Sequence, residues 1–106
     1  MPDLEPAIRQ MIDATNSADD EAFLDAFAAD ATIDDWGRTF TGRDEIAGWN
    51  DRENIGVHSH IEATSVERRG EEIVVGVQVT GDGYNGGGSM TFTLDGDRIA
   101  TMVIRG

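Results

Sequence analysis

A chain of 106 residues with 21 acidic and 8 basic side chains carries a formal charge of -13, which opposes binding to phosphate backbones and anionic bilayer surfaces. It has no cysteine and no lysine, which excludes disulfides, thiolate metal sites, cysteine nucleophiles and lysine Schiff bases. The length suits one domain over residues 1–106 with a single core, so any active site has to be carved from that core.

The opening stretch MPDLEPAIRQ has neither a basic nor an apolar export region, and no segment reaches bilayer-spanning length, so a cytoplasmic location is expected. Leu4, Ile8, Met11, Ile12 and Thr15 recur at helical spacing. With Asp3 as N-cap they predict a first helix over about residues 3–16. Asn16 to Asp19 is a polar break, after which Ala22, Phe23, Ala26 and Phe27 give a second, shorter apolar face. A strand over residues 31–36 then sends Ile33 and Asp35 to one face and Asp34 to the other, where it is expected to be solvated. Gly37 permits a bend, Arg38-Thr39-Phe40 a short return, and Thr41 with Asp44 a capping-box-like start to a third helix. That helix carries Ile46, Trp49, Asn50 and Glu53 on adjacent positions and is expected to stop at Asn54-Ile55-Gly56, with Gly56 left-handed. From Val57 the period becomes two, through residues 57–68, Ile73 to Val79, Met90 to Leu94 and Ile99 to Val103, with turns at Arg69-Gly70 and Asp95-Gly96. Helices first and strands after is an α+β order, with the helices covering one face of a curved antiparallel sheet.

Asp35 is the leading chemical candidate, because alternation places a carboxylate where an apolar core is expected. In an apolar pocket walled by Phe27, Trp49 and Met90 it would serve as a general base; the plainer alternative is a carboxylate capping the turn at Gly37 or paired with Arg38. Glu53 or Glu62 across the pocket would complete an acid and base couple. Trp49 packs most simply with Ile46; either it or Trp36 would suit a pocket for a flat apolar ligand, with ordinary packing preferred for both. Asn50 and Asn54 either orient a ligand or end the helix. His58 and His60, two apart on a predicted strand, would form half a metal site with Glu62, but two histidines rarely close one, so a surface pair or subunit contact is preferred, a proton-shuttle role stays open, and neither metal nor cofactor is expected. Gly81 to Gly88, GDGYNGGG, has no following lysine or helix and reads as a hairpin connection with Tyr84 and Asn85 near its tip, placed to overhang a pocket mouth.

The run FAADATIDDW, then GRDEI, then Trp49, resembles the nuclear transport factor 2-like superfamily, in its SnoaL-like and ketosteroid-isomerase-like branch. The resemblance implies a cystatin-like cone, three helices packed on a curved sheet with a pocket at the open end. It places the isomerase general base on Asp35, the oxyanion-donating tyrosine on Met11, the assisting acid on Met90 and a further network tyrosine near Asn50. Neither methionine can donate, so steroid isomerisation is not expected. The implied site is Asp35 as catalytic residue, with Met11, Phe27, Trp49, Asn50 and Met90 around the ligand and Asn50, Arg38 or a histidine replacing the lost donors. An isomerase or cyclase acting beside a carbonyl of a small apolar molecule is the reaction class implied. An epoxide hydrolase of this fold is set behind it, since the sequence displays no acid–arginine–acid constellation around a tyrosine and an asparagine. The alternative is a non-catalytic binding module; in either case the outer sheet face is expected to form a homodimer.

Overall fold

The computed structural model describes residues 4–106, and Asp3, the expected helix cap, lies outside them. Helix α1, Pro6–Asn16, starts on a proline, whose missing N–H costs nothing in a first turn, and buries Ile8, Met11, Ile12 and Thr15. Helix α2, Asp20–Asp25, is capped by Asp19, whose carboxylate accepts from the Ala22 N–H at 3.1 Å. Phe27 does not extend this helix as expected. It opens strand β1, Phe27–Asp35, because Ile99 of the last strand pairs with it and donates its N–H to the Ala26 carbonyl at 2.9 Å.

Strand β2, Arg38–Thr41, follows a two-residue turn in which Trp36 (φ 54) and Gly37 (φ 90) are both left-handed. That geometry matches the natural twist of a hairpin and places Arg38 directly across from Asp35. A bulky residue at such a φ is strained. Helix α3, Gly42–Glu53, begins with the Thr41 N–H bonded to the Glu45 carboxylate at 2.8 Å, so Glu45 rather than Asp44 supplies the cap.

A single 3-10 turn, Ile55–Val57, closes the helical half, and the left-handed residue after it is His58 (φ 57), not Gly56. Gly56 is required for a different reason. A Cβ there would lie 1.5 Å from the Asp51 carbonyl oxygen, so only glycine lets this turn press against the end of α3.

Strands β3 (His60–Arg69), β4 (Glu72–Thr80), β5 (Gly86–Asp95) and β6 (Arg98–Arg105) complete one six-stranded sheet in the order β2-β1-β6-β5-β4-β3. The β1–β6 pair is parallel and the others are antiparallel, so the sheet is mixed rather than wholly antiparallel. The three helices pack on its inner face as the expected α+β cone, around a core that includes Ile8, Met11, Phe23, Phe27, Ile33, Val75, Phe92 and Met102. Phe23 sits 5.1 Å from Phe27 and 6.3 Å from Trp49 between ring centroids, joining α2, β1 and α3. Substitution Gly56→Ala is expected to lower unfolding free energy by about 2 kcal/mol or more, measured by urea titration, because the obstructing atom is backbone and cannot rotate away.

Candidate functional site

The strand registers lay out a single row across the sheet: Arg38 opposite Asp35, Asp35 beside Ile104, Ile104 opposite Met90, and Met90 opposite Val75. Asp35 therefore stands on the apolar inner face at the end of β1, 8% exposed. Over this face, beneath α3, lies a cavity of about 320 Å³ with Asp35, Trp49, Ile61, Val77, Met90 and Ile104 in its wall.

Two donors converge on one oxygen of Asp35. Trp49 Nε1 donates to Oδ2 at 3.0 Å and the Arg38 guanidinium at 2.5 Å. Oδ1 receives no hydrogen bond from any described residue, yet it is not sealed off: the only fully buried side-chain polar atom without a partner among the described residues is Arg43 Nε. One oxygen is thus held and the other is free, in a side chain that lines the cavity. Arg38 also forks onto Glu53, Nη1 to Oε2 at 2.8 Å and Nη2 to Oε1 at 2.7 Å, and the Glu53 carboxylate raises the guanidinium above its ordinary range.

Asp35, Arg38 and Glu53 form an acid–arginine–acid chain that the sequence did not display, its members being brought together by a tight turn and by the last turn of α3. Tyr84 and Asn54 line the same cavity. Their donors are already engaged, Tyr84 Oη on the Gly87 carbonyl at 2.7 Å and Asn54 Nδ2 on Thr15 Oγ1 and Asn50 Oδ1 at 3.0 Å each.

Of the other residues expected around a ligand, Trp49 and Met90 line the cavity, whereas Met11, Phe27 and Asn50 do not. Met11 and Phe27 are wholly buried in the core. Asn50 is committed to holding helices together, donating to Asp20 at 2.9 Å and accepting from Asn54. His58 and His60 do not share a strand: His58 precedes β3 in its left-handed conformation and its Nδ1 lies 2.8 Å from Asp82 at the surface. The half metal site drawn from them with Glu62 is therefore not assembled. Asp34 points to the opposite side from Asp35, as alternation requires, but it is paired rather than merely solvated. Arg105 reaches both its oxygens at 3.1 Å and the Gly37 N–H donates to it at 2.8 Å.

Among the wall residues that the sequence reading did not single out are Ser59, Val57 and Arg52. The signal for Ser59 was present, since alternation back from Ile61 sends Ser59 inward and both histidines outward. Three of the eight arginines, Arg38, Arg52 and Arg105, border the cavity, and Arg52 makes no ion pair with a described residue. The Gly83-Tyr84 segment forms part of the mouth, pinned by Asn85 Nδ2 to the Gly81 carbonyl at 2.8 Å. Gly88 leaves the wall bare, and a Cβ there would meet the Arg105 carbonyl oxygen at 2.6 Å.

The sequence profile of the SnoaL-like domain matches residues 8–102. The chain belongs to the SnoaL-like domain family. No curated relative matches it by sequence. Among solved structures, a Sinorhizobium meliloti protein assigned as a polyketide cyclase is 24% identical, with TM-score 0.84 over 96% of this chain and 95% of that one. A Mycobacterium tuberculosis protein in complex with estradiol-17beta-hemisuccinate is 16% identical, TM-score 0.80, over 92% and 88%. The Delta 5-3-ketosteroid isomerase of a Mycobacterium species is 17% identical, TM-score 0.81, over 94% and 89%. At these identities the likeness to this SnoaL-like domain is one of fold. No described helix is long and apolar enough to cross a membrane.

Two outcomes follow from the site's bonding. Trp49→Phe keeps an aromatic ring but removes the donor to Asp35 and part of the buried indole, and is expected to cost about 2 kcal/mol or more in chemical unfolding. Arg105 holds the Asp34 carboxyl below the usual range, helped by the Gly37 N–H. The stabilisation this gives is complete above the ordinary aspartate pKa and is lost as pH falls through the lowered value. Arg105→Gln is expected to raise the Asp34 midpoint toward the ordinary value in a carbon-detected NMR titration.

Proposed function

We propose that this SnoaL-like domain binds a small, largely apolar molecule in the cavity under α3 and that Asp35 acts there as a general base beside a carbonyl, in an isomerase- or cyclase-type reaction. The supporting observation is the division of labour within one carboxylate, with Oδ2 held by Trp49 and Arg38 while Oδ1 is open to an apolar cavity. Fixed in this way, the carboxylate needs no reorientation to accept a proton. Oδ1 takes a proton from the carbon next to the carbonyl, and the electron pair moves onto the carbonyl oxygen. The resulting enolate takes that proton back from Asp35 at another carbon, or attacks a second carbonyl to close a ring, the alkoxide so formed then taking the proton from Asp35. Of the three donors considered from the sequence as replacements for the missing oxyanion groups, only Arg38 borders the cavity, since Asn50 is engaged with Asp20 and neither histidine lines it. Arg38 supplies positive charge near the reacting atoms.

A non-catalytic binding module is the second reading. It is favoured by Met90 in the cavity wall and Met11 in the core, where neither side chain can donate to a developing oxyanion. A homodimer through the outer face of the sheet is compatible with both readings.

The distinguishing experiment follows deuterium exchange at C2 of 1-tetralone in D2O by proton NMR. The wild-type chain is expected to accelerate exchange about a hundredfold or more over buffer, and Asp35→Asn to return it to the buffer rate with an unchanged circular dichroism spectrum. Exchange undiminished by Asp35→Asn removes the base role; binding of the ketone without exchange establishes the passive pocket.

A further inference from the structure

Among the described residues, five polar ones are more than nine-tenths buried: Thr15, Asp35, Asn50, Asn54 and Ser59. Burial of a polar group costs free energy unless a partner is found, so each must be accounted for. Thr15 and Asn50 are satisfied inside the core. Thr15 Oγ1 donates to the Met11 carbonyl at 2.9 Å and accepts from Asn54, while Asn50 uses its amide N–H on Asp20 and its oxygen on Asn54 and the Ile55 N–H. Asp35 has one oxygen left for the cavity, as described. The remaining two, Asn54 and Ser59, are 4% and 7% exposed and line the same cavity.

The orientation of the Asn54 amide follows from its neighbours. Asp20 as a carboxylate can only accept, so Asn50 must turn its N–H toward Asp20 and its oxygen toward Asn54. Asn54 must then answer with its own N–H, which also reaches Thr15. Its Oδ1 is left as an acceptor with no donor among the described residues. Ser59 Oγ likewise has no partner among them, and neither atom is sealed from the cavity. The two residues are held side by side, because the 3-10 turn brings the Ser59 N–H onto the Asn54 carbonyl at 3.1 Å. Ser59 directly precedes β3, at the opposite edge of the sheet order from the β1–β2 hairpin that carries Asp35. One unpaired acceptor beside one hydroxyl, in a wall that also carries the apolar Val57, Ile61, Val77 and Val79, is the complement of a group that both donates and accepts.

We infer that Asn54 Oδ1 and Ser59 Oγ read a hydroxyl on the ligand, the hydroxyl donating to Asn54 and accepting from Ser59. The inference rests on the cavity being the ligand site, as proposed above, and it narrows the ligand class to apolar molecules that carry a hydroxyl as well as a carbonyl.

Three probes test it: 6-hydroxy-1-tetralone, 6-methoxy-1-tetralone and 1-tetralone, with Kd from NMR titration. The hydroxylated ketone is expected to bind about tenfold tighter than the other two, since the methoxy group cannot donate to Asn54. Asn54→Leu is a poor test because it also removes the bonds to Thr15 and Asn50. Ser59→Ala is the better one: its hydroxyl bonds none of the described residues, so Tm is expected to stay put while the preference for the hydroxyl shrinks about fivefold. Equal binding of the hydroxylated and plain ketones, binding of none of the three, or a preference undiminished in Ser59→Ala overturns the inference. Exchange at C2 with no hydroxyl preference would leave Asp35 as base and remove the Asn54–Ser59 role; a hydroxyl preference without exchange would do the reverse.

Discussion

An aspartate on the inner face of a small apolar sheet survives only if something answers its charge, and much of the surrounding architecture is that answer. The indole N–H of Trp49 and the guanidinium of Arg38 both reach Oδ2. Each depends on a further element. Trp49 is oriented by stacking near Phe23, and Arg38 is steadied by its fork onto Glu53 one turn further along α3. Arg38 stands opposite Asp35 only because the intervening turn has two residues, one of them a tryptophan in a conformation tryptophan seldom adopts. Strain in the turn is offset by an ion pair that no looser loop would align so closely.

A second polar system runs through the middle of the helical layer. Asp20 on α2, Asn50 and Asn54 at the end of α3, and Thr15 on α1 form one continuous chain of hydrogen bonds. Three helices are thereby locked to one another by directional bonds rather than by packing alone. The chain has a definite polarity, starting at an obligate acceptor and ending with an amide oxygen that no described residue bonds. The core and the cavity share this network, and the cavity receives its unspent end.

The element types and the inward face of β1 were readable, because Ile33 and Asp35 share a period-two pattern and Val75, Val77 and Val79 share another. The parallel pairing of β1 with β6 was not, since alternation is the same for either direction and the partners lie at opposite ends of the chain. Met11, Phe27 and Asn50 show why candidate ligand residues were harder still. Helical and strand periodicity reports that a position is buried, but a cavity wall and a solid core have the same periodicity. Arg38 and Glu53 carried no joint signal either, as their meeting depends on the angle at which α3 leaves the hairpin. Gly56 displayed a glycine's usual signature for a left-handed cap, whereas the actual requirement was room beside the Asp51 carbonyl.

The bare stretch of wall at Gly88 has a bearing on how such a cavity evolves. Pockets are commonly resized by exchanging a small lining residue for a larger one, but here the neighbouring strand's carbonyl occupies the place that any side chain would need. That one position of the wall is closed to gradual change. Diversification toward larger or smaller ligands within this lineage would have to proceed through Ile61, Val77 or Met90, whose side chains can be lengthened or trimmed without moving backbone. Selection is thus channelled to the side chains around Gly88, among them Val77 directly across from it on β4 and Met90 two residues along β5, while the glycine itself stays the same whatever the ligand becomes.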